Sequence, residues 1–464
     1  MKRFTILFTS FLIILASCSN HSVNTSSKDS SVSSADAVQK SSIKTVPFSS
    51  GLVLSNYGGC MTADGFYYLK TVFDSFPNYT IIMHLNTPSM LEIPLCNKPE
   101  CKHENDTCNA FVSGGRGFSN DKIFTDGSKL YLTVSNETVS HDFAVNPEDG
   151  IVADGGKLIP GLSGHILYSM NFDGTNRTKI AEFDPDEMIQ GGFITGGGKI
   201  YCVKNQMTVT RSGNGNSVIA TAGNGKSELL CIDPDKKAVI SLGDFSEKAM
   251  LGVYKTRIFF ESNKSDADSD NLNTESDAEI LKYYNSIDRK IMSYDVETKE
   301  EKTLLEGKAS ELESMVFGDN MLCYFNKKAN KLKGFNLDTD EPFEILTYMK
   351  KSPPCPEQII DGKLIYSFYD GNRENPQMES CFYYDFASQT NTELTLFVQG
   401  GEKCSVRIID ETDGQYLVIP KKDEEKENTW AGTVRHNTLK EYYALIKSDD
   451  YWQSKPNYKY FEED

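Results

Sequence analysis

The segment Asp361-Gly362-Lys363-Leu364-Ile365-Tyr366 joins a two-residue turn to an apolar strand, and its pattern recurs along most of the chain. Asp-Gly readily adopts the left-handed backbone of a tight hairpin, and the β-branched and aromatic residues that follow suit a strand. Seven copies are present, at residues 64–68, 126–131, 198–201, 255–259, 319–324, 361–366 and 413–417. This repeat predicts a fold built from equivalent β-sheets.

A second repeated signal follows the first in five central units: a strand that ends in a turn headed by Asp or Asn. Its copies lie at residues 167–174, 229–235, 291–295, 333–338 and 382–385. Asp and Asn side chains cap such turns, and a further strand follows each copy. Units of short antiparallel strands every 40–60 residues or so, with no helical period between them, are the sequence signature of a β-propeller.

The predicted fold is therefore all-β, a propeller of seven blades with four antiparallel strands each; six or eight blades are the alternatives. Stacking around an axis buries both faces of every blade, which one four-stranded sheet cannot do alone. Residues 46–54 could supply the strand that completes the last blade, and the insertions at about 137–163 and 421–438 are interpreted as polar loops. A tandem of β-sandwich domains competes, but the repeats run evenly without a Pro- or Gly-rich linker between halves.

A family resemblance appears in one of these units. Leu167-Tyr168-Ser169-Met170-Asn171-Phe172-Asp173-Gly174-Thr175-Asn176-Arg177-Thr178-Lys179-Ile180 resembles the repeat of bacterial propellers related to the low-density-lipoprotein-receptor type. The resemblance is strong over these residues, and the repeat rhythm extends over residues 50–461. It implies a propeller, usually of six blades in that family, whereas seven strand starts are counted here. It informs the fold more than the function.

The start of the chain has the pattern of an export signal. Met1-Lys2-Arg3 is cationic, residues 4–15 are almost entirely apolar, and Ala16-Ser17-Cys18 closes the run. This arrangement resembles the lipobox of bacterial surface lipoproteins, in which the cysteine is diacylated and begins the mature chain. The resemblance implies a signal peptide over residues 1–17 and a lipid anchor at Cys18 on the outer side of the cell membrane. An ordinary signal peptide that contains a cysteine is the alternative.

Residues 18–45 predict a flexible tether between this anchor and the folded domain, residues 46–464. The segment is rich in Ser, contains no aromatic residue and shows no apolar period. Such a composition buries too little apolar surface to offset the entropy of ordering the chain.

The composition is strongly acidic, with a formal net charge of -18. Without residues 1–17, which contain Lys2 and Arg3 but no acid, 66 acids face 46 bases and the charge is -20. Such a balance disfavours nucleic acid and anionic lipid headgroups as partners. No second stretch of about 20 apolar residues follows the export signal, so the lipid would be the only hold on the bilayer.

Cys96, Cys101, His103 and Cys108 form the densest chemical constellation in the sequence. Three thiolates and an imidazole suit a tetrahedral zinc ion, although four residues rather than two separate the first two cysteines. Without Cys18, the exported chain keeps ten of its 11 cysteines, an even number that permits disulfides. A disulfide-stapled loop therefore competes with zinc, and either predicts a structural role at the outer edge of the first blade.

Cys202 and Cys231 are a second candidate, since the repeat places them on neighbouring strands of one blade. A cross-strand disulfide requires their side chains to share a face, and two unpaired buried thiols are the alternative.

An acidic stretch gives a weaker metal candidate. Its carboxylates occupy positions 1, 3, 5 and 12 of a calcium loop, at Asp266, Asp268, Asp270 and Asp277. Asn271 stands where such loops need Gly, and no helical pattern flanks the stretch. We therefore favour a solvated acidic insertion and do not expect calcium.

No catalytic motif is recognisable. Gly161-Leu162-Ser163-Gly164-His165 lacks the final Gly of a nucleophile elbow, and no P-loop or dinucleotide fingerprint is present. We therefore predict a lipid-anchored binding module that takes a glycan, a protein or another ligand on its loop-rich face, with no cofactor beyond the candidate zinc. The alternatives are an extracellular hydrolase or lyase with carboxylates converging at the axis, and an accessory scaffold of an envelope complex.

Overall fold

Each of the seven turn-and-strand repeats forms the hairpin between the first and second strands of one blade in the computed structural model. The structure describes residues 51–463, apart from 56–57, 73–78, 114–120, 137–142, 147–149, 154–163, 185–186, 213–218, 265–281, 284, 348–352, 371–376, 401–402 and 429–433. The prediction of seven blades of four antiparallel strands is confirmed. Cys18, the predicted tether and the four aspartates of the calcium candidate lie outside the described residues.

The strands of each blade are given in chain order. They are Cys60–Thr62, Gly65–Val72, Tyr79–Asn86 and Leu91–Pro94 in blade 1; Lys122–Thr125, Leu130–Asn136, Gly164–Met170 and Thr178–Phe183 in blade 2; and Glu187–Gly196, Lys199–Ser212, Ile219–Asp233 and Ala238–Asp244 in blade 3. They are Lys248–Tyr254, Arg257–Lys264, Asp288–Asp295 and Glu301–Lys308 in blade 4, and Glu313–Gly318, Met321–Asn326, Lys331–Asn336 and Glu341–Thr347 in blade 5. They are Cys355–Ile360, Lys363–Tyr369, Met378–Asp385 and Thr390–Glu393 in blade 6, and Ile408–Thr412, Gln415–Asn428, Val434–Lys447 and Lys459–Tyr460 in blade 7.

A few elements lie outside this scheme. They are the strands Val53–Ser55, Phe111–Ser113 and Glu462–Glu463, a hairpin of Phe143–Asn146 and Gly150–Ala153, a 3-10 turn at Ala309–Glu311 and a helix at Ser448–Trp452. No helix among the described residues is long and apolar enough to cross a membrane.

The Asp-Gly turns of blades 6 and 7 have the geometry that their residues predict. Asp361 and Gly362 have φ values of 52° and 64°, and Asp413 and Gly414 have values of 46° and 71°. Both central residues of these turns are thus left-handed, which matches the right-handed twist of the strands that they join. In most pairs of neighbouring blades the first strands contact one another, so the first strands surround the axis of the propeller.

The two ends of the propeller differ. Because the strands are antiparallel, the turns between strands 1 and 2 and between strands 3 and 4 lie at one end, which we call the short-turn end. Second strands end and third strands begin at the other end, the loop end; the longest connections there join Asn136 to Gly164 and Lys264 to Asp288. The predicted polar loop at 421–438 is largely an extended hairpin there, with Asn428 opposite Val434.

The core lies between neighbouring blades. Between blades 2 and 3, for example, the rings of Phe124 and Phe193 stack with their centroids 4.4 Å apart. Ile200 and Ile232, on adjacent strands of blade 3, are buried against the same cluster. Each blade thus buries apolar side chains against its neighbours, as the repeat predicts.

The expectation that residues 46–54 complete the last blade is wrong for the part that the structure describes. Val53–Ser55, the N-terminal strand, pairs with the first strand of blade 3, where Val53 lies opposite Thr195. The amide of Leu52 donates a 2.6 Å hydrogen bond to the carbonyl of Lys255, in the first turn of blade 4. The N-terminal strand therefore enters along the axis from the short-turn end.

The last described residues close the ring at its outer rim. Lys459–Tyr460 pairs with the third strand of blade 7 and completes that blade. Glu462–Glu463 then runs parallel to the outer strand of blade 1. Residues 459–463 therefore link the last blade to the first, and we call them the C-terminal clasp.

Candidate metal centre

The predicted Cys/His cluster lies in an excursion that interrupts the outer strand of blade 1. This strand begins as Leu91–Pro94 and resumes as Phe111–Ser113, and both parts pair with the third strand of the blade. Ile82 marks the break: its carbonyl accepts a 2.9 Å hydrogen bond from the Leu95 amide, and its amide donates a 2.8 Å bond to the Ala110 carbonyl. The chain therefore leaves and rejoins the sheet at one residue, and the cluster lies at the neck of the excursion.

The four predicted ligands converge. The thiol sulfurs of Cys96, Cys101 and Cys108 and a ring nitrogen of His103 all lie within 4.8 Å of one another. His103 Nδ1 is 3.1 Å from Cys108 Sγ. Sulfur ligands at about 2.3 Å from a tetrahedral zinc ion are about 3.8 Å apart, so these side chains fit zinc with small adjustments.

Local hydrogen bonds shape the excursion. The Cys101 amide donates to the Lys98 carbonyl at 3.3 Å, and the Cys108 amide donates to the Asn105 carbonyl at 3.0 Å. His103 has a φ of 58°, in the left-handed region that few side chains adopt freely. The Lys98 ammonium also donates to the carbonyl of Thr107, which ties the two arms of the excursion together. Backbone geometry therefore brings together ligands that are irregularly spaced in sequence.

Residues of blade 2 contact the excursion and hold it in place. The guanidinium of Arg177 donates to the carbonyls of Phe111 at 2.8 Å and Asn109 at 2.7 Å. Gly174 has a φ of 76°, and a Cβ atom there would lie 3.0 Å from the side chain of Asn109. Both residues belong to the stretch that resembles the lipoprotein-receptor-type repeat, so this repeat unit packs directly on the cluster. Nothing in the sequence indicates a role for Arg177, because its partners are backbone carbonyls.

The cluster is partly shielded from solvent. Cys108 is buried, and burial raises the pKa of its thiol to about 11. Burial also raises the pKa of Cys96, but a hydrogen bond from the Lys98 amide and bonds from the other two thiols outweigh it and leave this pKa below its usual value. Burial lowers the pKa of His103, which favours the neutral imidazole that a metal requires. A bound divalent cation would itself deprotonate the thiols.

The disulfide predicted as feasible between Cys202 and Cys231 is not formed. Cys202 lies opposite Leu230, whereas Cys231 lies opposite Tyr201. The two cysteines are thus one residue out of register, and their side chains point to opposite faces of the blade. All ten cysteines in the described part of the chain are free thiols.

A buried carboxylate that the sequence did not single out lies on the first strand of blade 6. Glu357 accepts hydrogen bonds from the hydroxyls of Tyr369 at 3.2 Å and Ser405 at 3.1 Å, one on each carboxylate oxygen. Ser405 belongs to the segment that leads into blade 7. The carboxylate therefore joins two neighbouring blades near the axis, which is a structural role.

No protein-family model matches the sequence, and no curated protein matches it. In structure, the chain is similar to a puromycin-hydrolysing peptidase of Mycobacterium tuberculosis, with a TM-score of 0.46 and 9% identity over 89% of this chain and 54% of that one. It is similar to an acylaminoacyl peptidase of Pyrococcus horikoshii, with a TM-score of 0.43 and 13% identity over 87% and 53% of the two chains. An oligogalacturonate lyase of Vibrio parahaemolyticus gives a TM-score of 0.41 and 10% identity over 87% and 86%. The chain spans about half the length of the two peptidases.

Proposed function

We propose that the protein is a lipid-anchored, extracytoplasmic binding module whose first blade is fastened by a structural zinc ion. Cys96, Cys101, His103 and Cys108 would hold the ion. The convergence of their ligand atoms within 4.8 Å carries this part of the proposal. Four protein ligands complete a tetrahedral shell and leave no position for water or substrate, which is the pattern of structural rather than catalytic zinc.

The difference between the two ends of the propeller supports the binding role. The N-terminal strand enters at the short-turn end, where Leu52 is bonded to Lys255. A tether over residues 18–45 would therefore leave the domain opposite the long connections of the loop end. Binding residues concentrate on loops that a rigid scaffold presents. The loop end would thus face away from the anchor and offer a glycan or protein a surface to which several blades contribute.

Native mass spectrometry of the chain from residue 18 onward, carrying Cys18→Ser and purified without chelator, tests the zinc site. We expect a mass excess of one zinc ion that disappears on denaturation, after which Cys96, Cys101 and Cys108 alkylate without reduction. Cys108→Ser should lose most of the zinc, whereas Cys231→Ser, which removes a half-buried thiol of blade 3, should keep it. Metal-free protein in which these cysteines alkylate only after reduction would establish a disulfide staple instead.

Cell fractionation tests the anchor. The unaltered chain should sediment with membranes, whereas the Cys18→Ser variant should appear in the soluble extracytoplasmic fraction. Equal distribution of the two proteins would contradict lipid attachment.

A hairpin exchange tests the location of the binding face. Replacing residues 424–439 by Asn-Gly would reduce the blade 7 hairpin to a tight turn between Asp423 and Lys440, which are paired. On immobilised polysaccharides and peptides, a ligand bound by the unaltered protein should be lost or weakened in this variant. It should be retained in Glu297→Ala, which alters an exposed side chain at the short-turn end. Loss of binding in Glu297→Ala together with full binding by the hairpin variant would place the ligand at the short-turn end and contradict this proposal.

A further inference from the structure

Three of the four arginine side chains that the structure describes bind backbone carbonyls in a neighbouring blade or in a connection beside it. They are Arg177, which donates to Phe111 and Asn109, Arg257, which donates to Leu337, and Arg289, which donates to Leu312. The fourth, Arg407, is exposed and makes no hydrogen bond or ion pair with any described residue. Its guanidinium donors are therefore available to a ligand.

Arg407 lies at the loop end of the propeller, beside the axis. It immediately precedes the first strand of blade 7, Ile408–Thr412, and first strands begin at the loop end because they turn into second strands at the short-turn end. Cys355 begins the first strand of blade 6 and so lies at the same end. Since the first strands surround the axis, both residues belong to the face on which we place the ligand.

Polar groups from three blades converge around Cys355, which is half-buried. Burial and the carboxylate of Glu357 raise the pKa of the Cys355 thiol to about 11, whereas the hydroxyl of Ser314 and the guanidinium of Arg407 act in the opposite direction. Such effects act over short distances, so blades 5, 6 and 7 each place a polar group beside this thiol. Ser314 has a φ of 49°, and backbone strain of this kind is concentrated at functional sites.

Hydrogen bonds to Glu357 hold this group of residues in place. Its two carboxylate oxygens accept from the hydroxyls of Tyr369 and Ser405, and Ser405 lies two residues before Arg407. Glu357 is 6% exposed, and no ion pair joins it to Arg407. The segment that carries the guanidinium is thus tied to blade 6, while the guanidinium itself stays unpaired and preorganised for an anionic ligand.

We propose that Arg407 binds a carboxylate group of the ligand at this axial site on blades 5, 6 and 7. The inference rests on the proposed binding function and assigns to it a chemical class of ligand and the residue that selects this class. A guanidinium donates two parallel hydrogen bonds to a carboxylate, a geometry that a lysine ammonium does not reproduce. Because the chain has a net charge of -18, its overall field repels anions, so binding of a carboxylate depends on a local cation.

An array of matched pairs tests the class of ligand. Acidic polysaccharides are immobilised beside their carboxyl-reduced forms, and peptides beside their C-terminal amides, so that the preferred pair identifies the source of the carboxylate. For the chain from residue 18 onward with Cys18→Ser, we expect the acid member of a pair to bind at least about tenfold more tightly than its neutral counterpart. Arg407→Gln should lose this preference and Arg407→Lys should keep part of it. Lys447→Gln, which removes an exposed base at the short-turn end of the same blade, should keep all of it.

Alkylation of Cys355 locates the site without altering it. At a concentration of the acid ligand about ten times its Kd, alkylation of Cys355 should slow about tenfold, since only the unoccupied fraction reacts. Alkylation of Cys231, a half-buried thiol of blade 3, should not change.

Thermal unfolding that matches the unaltered chain shows that the variants are folded. Equal binding of acid and neutral members, binding that Arg407→Gln leaves intact, or a Cys355 that the ligand does not protect would overturn this inference while the binding function stands. An array on which no member is bound would overturn both.

Discussion

Blades 1 and 3 each receive an extra strand from one end of the chain, but at opposite edges. Glu462–Glu463 covers the outer edge of blade 1, whereas Val53–Ser55 covers the inner edge of blade 3. The outer strand of blade 1 is interrupted by the cysteine excursion, whereas that of blade 3 contains a single β-bulge, at Leu242. Seven nearly equivalent hairpins thus build the ring, while the edges of each sheet are specialised by what packs on them.

Missing side chains explain why the N-terminal strand selects blade 3. A Cβ atom on Gly192 would lie 2.4 Å from the carbonyl oxygen of Ser55, and one on Gly196 would lie 2.5 Å from the side chain of Leu52. The first strand of blade 3 therefore offers a groove that only glycine leaves open. The glycines of this strand therefore leave room for the N-terminal strand to pack against it.

The largest effect is expected where blade 2 holds the interrupted strand of blade 1. Arg177→Ala should lower the free energy of unfolding by about 3 kcal/mol, since hydrogen bonds from charged donors contribute about 1.5–3 kcal/mol each and two half-buried carbonyls lose their partner. Chemical denaturation measures the loss, and hydrogen exchange should show it concentrated in residues 95–113. Lys179→Ala, which removes an exposed ion pair with Glu182, should cost less than about 0.5 kcal/mol. Equal losses would show that Arg177 does not fasten the excursion.

An intermediate effect is expected at the inner edge of blade 3. Gly192→Ala should cost about 2 kcal/mol and release the N-terminal strand, because the added methyl group meets backbone rather than a movable side chain. Limited proteolysis after residue 51 reports this release. Gly58→Ala, where the methyl group meets nothing within 4 Å, is the matched control and should leave the strand protected. A protected strand in Gly192→Ala would contradict the groove.

The smallest effect is expected at the clasp on blade 1, and it depends on pH. A hydrogen bond from the Lys440 ammonium holds the pKa of Glu463 below its usual value, with a further contribution from Lys70. A depressed carboxyl pKa contributes stability that is present above the unfolded pKa, about 4.3, and is lost as the pH falls through the folded pKa. Because both side chains are partly exposed, the change should stay below about 0.5 kcal/mol.

Hydrogen exchange of residues 459–463 between neutral and acidic pH measures the clasp. Protection should fall at low pH in the unaltered chain, and Lys440→Met should show weaker protection with little further change on acidification. Full protection at low pH in the unaltered chain would mean that pairing with blade 1 alone holds the clasp.

The hairpins were predictable because their information is local. Asp361-Gly362 and its counterparts determine turns through backbone preference alone, and the structure has a hairpin at each of the seven sites. The Cys96–Cys108 constellation was predictable for a related reason, since its members are close in sequence. The position of the cluster beside Ile82 was not predictable, because no residue of the excursion indicates where the chain rejoins the sheet.

The sequence did not predict which strands pair with one another or in which register. Residues 53–55 look like a strand, but their partner is about 140 residues away and is selected by the absence of side chains on blade 3. Cys202 and Cys231 were correctly placed on adjacent strands of one blade, yet a single residue of register separates a shared face from opposite faces. The role of Arg177 is not visible in the sequence, because hydrogen bonds to backbone carbonyls impose no pattern on composition or spacing.

The sequence by itself determined the all-β class, the seven repeats, the chemistry of the Cys/His cluster and the acidic charge. Turn propensity, side-chain type and charge belong to single residues or short segments, and the sequence displays them directly. Only the tertiary structure decided which edges the two ends of the chain cover and where the cluster meets blades 1 and 2. Those outcomes depend on complementarity between surfaces distant in sequence, and folding alone brings such surfaces together.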